Sequence, residues 1–214
     1  MSTLSMKTAK YYFIQGVKTA GYVLGINALL FLEWLVIGTD EPQGTLSYAC
    51  TMEILIGSVF MVLMNLMFSV YGPNWYDSLV LSMGARRKDV FWGEIIKQLT
   101  YVAVSTVVIT ALTFISGQTQ FMIFVLIAAF VSVILGPLGL IVGYSIKKFG
   151  KVVVWVLAVV AGVCGCLLAM DFFDEAFIQA VASMNFITIG IAGVVLFILL
   201  ELGVYKLNQK SMVR

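Results

Sequence analysis

Long uninterrupted runs of apolar residues are the feature that most constrains how this chain folds. A helix needs about 20 mostly apolar residues to cross the hydrocarbon core of a membrane. Six such runs are predicted to be spans, at residues 18–38, 46–71, 95–117, 120–146, 151–170 and 184–206. A tight polar turn, residues 116–120, separates the third run from the fourth. The connections are too short for a soluble domain, so residues 1–214 are interpreted as one transmembrane domain of the all-α class.

The composition agrees with an integral membrane protein and excludes several kinds of active site. Charged residues make up 11% of the chain, whereas soluble domains carry about 25%. Histidine is absent, which excludes Ser-His-Asp and Cys-His nucleophilic sites and histidine-ligated zinc. No metal site is expected, and the three cysteines are interpreted as small membrane hydrophobes. The net charge of +2 gives no electrostatic case for nucleic-acid binding.

The positions of the basic residues predict the orientation of the six spans. All 13 Lys and Arg residues fall in or beside the N-terminal segment, the second connection, the fourth connection and the C-terminal segment. The other three connections hold no basic residue, and two of them carry acidic residues instead. Because cytoplasmic connections are enriched in Lys and Arg, both termini are predicted to be cytoplasmic, in a multi-pass protein of the cell membrane.

The second connection, residues 72–94, is predicted to hold a short helix at the membrane surface. Gly72-Pro73 is expected to end span two, because proline removes a helical hydrogen bond. Asn74 is then a suitable N-cap for a new helix. Apolar side chains follow at a helical spacing, at Trp75, Leu79 and Met83.

This connection ends in a basic turn, Arg86-Arg87-Lys88. Gly84 suits the position just after a helix end, and Asp89 suits the first turn of the next helix, where negative charge is favoured. On charge alone, the three basic residues anchor the connection at anionic lipid on the cytoplasmic side.

The order of residues in this connection resembles the corresponding loop of type-2 ABC exporter permeases. In that family a coupling helix is followed by a glycine, basic residues, a hydrophobic pair and a second glycine. The matching residues here are Gly84, Arg87, Lys88, Asp89, Val90, Phe91 and Gly93. Six spans, cytoplasmic termini and an amphipathic segment between spans five and six are also similar to that family.

The resemblance implies a permease subunit of an ATP-driven exporter, which moves an amphipathic substrate such as a peptide, an antibiotic or a lipid. It implies two separate ATP-binding cassette subunits, which hold ATP and Mg²⁺, and a second permease copy, identical or related. These 214 residues contain no G-x-x-x-x-G-K-[ST] loop, so no enzymatic activity or cofactor is expected in this chain. Residues 1–17 are expected to form a short amphipathic interfacial helix. The residues expected at the ATPase contact are Trp75, Tyr76, Asp77, Leu79, Met83, Gly84, Arg86, Arg87 and Lys88.

Four polar residues inside predicted spans are candidates for a translocation path between two copies: Asn27, Glu33, Glu53 and Asn65. A carboxylate in lipid is costly, so by default it faces protein or water. The alternative for Glu33 and Glu53 is that they reach the outer headgroups or bond one another. Glu201 is expected to pair with Lys206 at the cytoplasmic interface.

The segment between spans five and six is amphipathic, with Phe173 and Phe177 on its apolar face. The resemblance places these two residues at an outer gate, and the alternative is an ordinary interfacial helix. Two G-x-x-x-G pairs, Gly21/Gly25 and Gly139/Gly143, permit close helix contacts without naming an interface.

Two other functions stay open at this stage. The substrate-binding membrane subunit of an energy-coupling-factor importer also has about six spans and borrows an ATPase, but the coupling loop argues against it. A secondary transporter is the other alternative, although no inverted repeat is visible and only Gly136-Pro137 interrupts a span strongly.

Overall fold

The computed structural model describes residues 3–38, 44–150, 152 and 186–210. These residues form five long helices and one short 3₁₀ turn, at Thr119–Phe121. The helices are α1 (Thr3–Ile37), α2 (Thr45–Ser82), α3 (Arg87–Ile115), α4 (Met122–Phe149) and α5 (Phe186–Lys210). Each of the five contains a stretch long and apolar enough to cross a membrane. The all-helical class is therefore confirmed for the described residues, while the predicted span at residues 151–170 lies outside them except for Val152.

Helix α2 lies at the centre of the bundle and packs against α1, α3 and, most extensively, α4. One apolar cluster at its middle joins all four helices, through Ala20, Met61, Tyr101 and Ala128. Helix α5 packs mainly against α4. The alternating direction of the helices places the start of α1, the end of α2, the start of α3 and the ends of α4 and α5 together. We call this the basic end, because it carries the Arg86-Arg87-Lys88 turn.

The expectation that Pro73 ends the second span is wrong, because α2 continues through it to Ser82. The reason is tertiary packing, since the proline ring rests against α4 at Gly143. A Cβ atom added to Gly143 would lie 3.0 Å from both Cγ and Cδ of Pro73. The Lys147 ammonium also donates to the Pro73 carbonyl oxygen at 3.2 Å. Asn74 is consequently an interior helical residue, not an N-cap.

The N-terminal segment also differs from the expectation of a separate interfacial helix over residues 1–17. Helix α1 begins at Thr3 and runs without a break into the predicted first span. It approaches α3 closely at Gly16, where an added Cβ would lie 2.7 Å from the Lys97 carbonyl oxygen. Contact with α3 therefore fixes the direction of this segment.

The turn between α3 and α4 was predicted correctly from its polar residues. Helix α3 ends at Ile115, and Gly117 has the positive φ of 71° that a glycine accommodates without strain. The Gln118 amide donates to the Ser47 hydroxyl at 3.1 Å, which ties this turn to the start of α2.

Candidate coupling surface and the cluster beneath it

The last two turns of α2 present an exposed apolar stripe at the basic end. Trp75 is 72% exposed, Leu79 47% and Met83 64%. We call these three residues the coupling surface. They project to one side because residues four apart share a helix face. For Tyr76 the structure describes only the backbone.

The turn that follows the coupling surface is closed by backbone hydrogen bonds. Gly84 has a φ of 88°, as expected of a glycine just beyond a helix end. The Ala85 amide donates to the Val80 carbonyl at 3.3 Å. At the start of α3, the Arg86 amide donates to the Asp89 carboxylate at 3.4 Å, so the predicted place of Asp89 in the first turn is confirmed. The turn therefore links α2 and α3 in a fixed geometry.

The three basic residues of the turn have different surroundings. Arg86 and Lys88 are exposed. Arg87 is half-buried, and its guanidinium donates to the Gln209 carbonyl oxygen near the end of α5. The Asn208 amide in turn donates to the Arg87 carbonyl at 2.8 Å. Arg87 therefore ties the turn to α5, while Arg86 and Lys88 are accessible to a partner or to lipid headgroups.

Asp77 does not have the exposed position that an ATPase contact requires, because it is only 2% exposed. Its carboxylate accepts hydrogen bonds from Tyr12 of α1 at 2.7 Å and from Tyr144 of α4 at 2.8 Å. The residue lies on the opposite side of α2 from the coupling surface. Its expected role as a polar contact with the ATPase is therefore wrong, and its carboxylate instead joins three helices.

Helix α3 adds two charged side chains to this interior. Glu94 is 1% exposed and Lys97 4%, and the ammonium lies 2.5 Å from a carboxylate oxygen of Glu94. Glu94 packs against Gly72, where an added Cβ would lie 3.0 Å from its carboxylate. Glu94 is also within electrostatic range of Asp77. We call Tyr12, Asp77, Glu94, Lys97 and Tyr144 the Asp77 cluster.

Sequence reasoning missed most of the Asp77 cluster. Tyr12 was assigned to the interfacial segment and Lys97 was counted only as a topological charge. The available signal was the spacing of Glu94 and Lys97, because residues three apart lie on one helix face. An ion pair entering a span on one face indicates a polar interior on that side.

The four candidates for a translocation path do not form one surface. Glu33 is exposed, whereas Asn27, Glu53 and Asn65 are buried in the interior of a single chain. Asn65 donates to the Ser132 carbonyl of α4 at 2.7 Å. Three of the four therefore do not line an open face that two copies would share, and Glu53 does not reach outward to the headgroups.

Two further expectations concern residues in the C-terminal part of the chain. The Glu201–Lys206 pair is not formed: Lys206 is exposed, and both carboxylate oxygens of Glu201 are buried with no hydrogen-bond partner among the described residues. The outer-gate candidates, Phe173 and Phe177, lie outside the described residues.

Comparisons of this chain with family models, with curated proteins and with solved structures find no match.

Proposed function

We propose that this chain is the membrane-spanning permease subunit of an ATP-driven exporter. In this proposal, both termini are cytoplasmic and the basic end meets the ATPase. The chain works with a second permease copy and two ATP-binding cassette subunits, which bind ATP and Mg²⁺. The substrate is amphipathic, such as a peptide, an antibiotic or a lipid, as the sequence resemblance implies.

The observation that carries the proposal is that the coupling surface and Asp77 lie on opposite faces of the same turns of α2. Trp75 and Leu79 face outward on the same two helical turns in which Asp77 faces inward. An exposed tryptophan on an apolar stripe, followed along the chain by the exposed Arg86 and Lys88, has the composition of a protein-binding hot spot. Exposed apolar patches bordered by polar residues commonly mark interaction sites.

The continuity of the helices supports transmission of a movement from this surface into the bundle. Because α2 runs without a break from Thr45 to Ser82, a displacement at Leu79 acts on the whole helix. A helix of 38 residues is about 57 Å long, and a hydrocarbon core is about 30 Å thick. In the proposed orientation, the end of α2 projects from the membrane toward the ATPase.

The test replaces Trp75 and Leu79 together by Asp in the full chain. After gentle detergent purification from the native cell, the wild-type chain is expected to carry an ATPase subunit identifiable by its own G-x-x-x-x-G-K-[ST] sequence. Loss of a hot-spot residue costs about 2 kcal/mol or more, which is roughly a thirtyfold loss of affinity. We therefore expect the double variant to lose the ATPase and its hydrolysis.

The matched control is Phe149→Asp, which charges an exposed aromatic residue at the end of α4, also at the basic end. This variant should retain the ATPase. If the wild-type chain purifies without an ATPase, or the Trp75/Leu79 variant keeps it in full, the coupling assignment is refuted. The basic turn is then only a topological anchor.

A further inference from the structure

Among the described residues, the end of the bundle opposite the basic end contains a single buried charged side chain. In the described part of this half, residues 19–38, 45–62, 101–138 and 186–196, the only charged residues are Glu33 and Glu53. Glu33 is exposed, whereas Glu53 is 8% exposed. The Glu53 carboxyl group therefore lies in the interior with no basic side chain from the described helices to balance its charge.

Asn27 of α1 meets Glu53 of α2 at Gly57. A Cβ added to Gly57 would lie 3.2 Å from the amide nitrogen of Asn27 and 3.4 Å from Oε1 of Glu53. The amide oxygen of Asn27, Oδ1, and the other carboxylate oxygen of Glu53, Oε2, are buried and receive no hydrogen bond from a described residue. Asn27 itself is 3% exposed. The two side chains therefore meet beside Gly57, and each carries one buried oxygen atom without a donor among the described residues.

The described residues around Glu53 and Asn27 are mainly apolar. Ile54, Ile109 and Val125 form the apolar cluster next to these two side chains. The Cys50 thiol, one helical turn before Glu53 on α2, is buried, and the Tyr101 phenol on α3 donates to the Met61 carbonyl at 3.3 Å. A buried carboxylate without a donor or counter-ion costs several kcal/mol, and in a membrane interior such a group marks an ion or proton site by default.

We propose that Glu53 and Asn27 bind a monovalent cation, a proton or a sodium ion, in the interior of the bundle. One carboxylate supplies one negative charge, which a monovalent cation neutralises. Oδ1 of Asn27 and Oε2 of Glu53 supply oxygen ligands, the type that hard cations prefer. If the cation is a proton, it is bound by the Glu53 carboxyl group. This site does not depend on the proposed coupling to an ATPase.

The first experiment follows thermal unfolding of the full chain in detergent, in sodium chloride and in choline chloride at equal concentration, at acidic and at alkaline pH. A ligand that binds only the folded state raises its stability by mass action. At about a hundredfold excess over the dissociation constant, the melting temperature of a chain this size rises by roughly 5–10 °C. Glu53→Gln and Asn27→Leu remove the charge and the amide oxygen, respectively. Glu33→Gln is the matched control, because it removes the exposed carboxylate of the same half.

Two results support the site and identify the cation. A sodium ion is assigned if wild type and Glu33→Gln melt at a higher temperature in sodium chloride than in choline chloride, while Glu53→Gln melts at the same temperature in both. A proton is assigned if the melting temperature of wild type is equal in the two salts and falls with rising pH, while that of Glu53→Gln does not fall with rising pH. If wild type and Glu53→Gln respond identically to salt and to pH, the proposal is overturned.

A second measurement on the wild-type chain covers the case in which Glu53→Gln does not fold. A hydrophobic carbodiimide reacts with protonated carboxyl groups in apolar surroundings, and mass spectrometry locates the adduct. We expect labelling of Glu53 that falls as pH rises, with additional protection by sodium chloride if the cation is sodium. An unlabelled Glu53, together with a wild-type melting temperature insensitive to sodium and to pH, refutes the site.

Discussion

The Asp77 carboxylate accepts hydrogen bonds from two helices at once, so removing its donors tests whether it holds the basic end together. Tyr12→Phe and Tyr144→Phe each delete one hydroxyl group and keep the aromatic ring. The hydroxyl oxygens lie 2.7 Å and 2.8 Å from the carboxylate, and all three side chains are buried. Each substitution therefore preserves packing and takes one donor from a buried acceptor.

The expected cost follows from the charge of that acceptor. A hydrogen bond to a charged group contributes about 1.5–3 kcal/mol, whereas side-chain hydrogen bonds between membrane helices average about 0.6 kcal/mol. For a chain of this size, 1 kcal/mol shifts the melting temperature by roughly 2–4 °C. We expect Tyr12→Phe and Tyr144→Phe each to lower it by about 3–12 °C.

The matched control is Tyr101→Phe, because Tyr101 is also buried but donates to the neutral carbonyl of Met61 at 3.3 Å. Its melting temperature should fall by only about 1–2 °C. The Tyr12/Tyr144 double variant leaves the carboxylate with neither donor, so its loss should exceed the sum of the single losses. The assay is thermal unfolding in detergent, followed by circular dichroism. Equal losses for Tyr12→Phe, Tyr144→Phe and Tyr101→Phe would contradict the central role of Asp77.

Two further substitutions test contacts on either side of this cluster. Gly139→Ala should lower the melting temperature, because the new Cβ would lie 2.5 Å from the Leu66 carbonyl oxygen and overpacking costs about 1–3 kcal/mol. Gly25→Ala, with no atom within 4 Å of the new Cβ, should leave it unchanged or higher, and equal losses would contradict the close α2–α4 contact. Arg87→Ala should expose the end of α5 to limited proteolysis by removing the tie to Gln209, whereas Lys88→Ala should not. Identical cleavage of the two variants would show that Arg87 does not hold α5.

Local signals in the sequence predicted the turns of this structure well. Gly84 was placed just beyond a helix end and has a positive φ, and Asp89 lies in the first turn of α3. The polar turn over residues 116–120 also lies between two helices as expected. Each of these features depends on the chemistry of a few neighbouring residues, which a sequence displays directly.

Features that depend on distant contacts were not predicted. Pro73 normally interrupts a helix, yet α2 continues because Gly143 makes room for the ring and Lys147 binds the proline carbonyl. The two tyrosines that bind Asp77 are 65 and 67 residues away along the chain. Periodicity identifies which face of a helix is apolar, but it does not identify which polar group on another helix will meet a given carboxylate.

The relation between Trp75 and Asp77 indicates how a partner at the basic end would act on the bundle. Residues two apart on a helix point about 200° away from each other, so the coupling surface and the carboxylate lie on opposite faces of the same turn. A partner that binds Trp75 and displaces α2 must either break the hydrogen bonds from Tyr12 and Tyr144 to Asp77 or move α1 and α4 together with α2. Hydrogen bonds to a charged group are stronger than those between neutral groups. Concerted movement of the three helices therefore costs less free energy than separation of α2 from α1 and α4. In the proposed coupling, Asp77 would therefore act from inside the bundle, because its hydrogen bonds join α2 to α1 and α4.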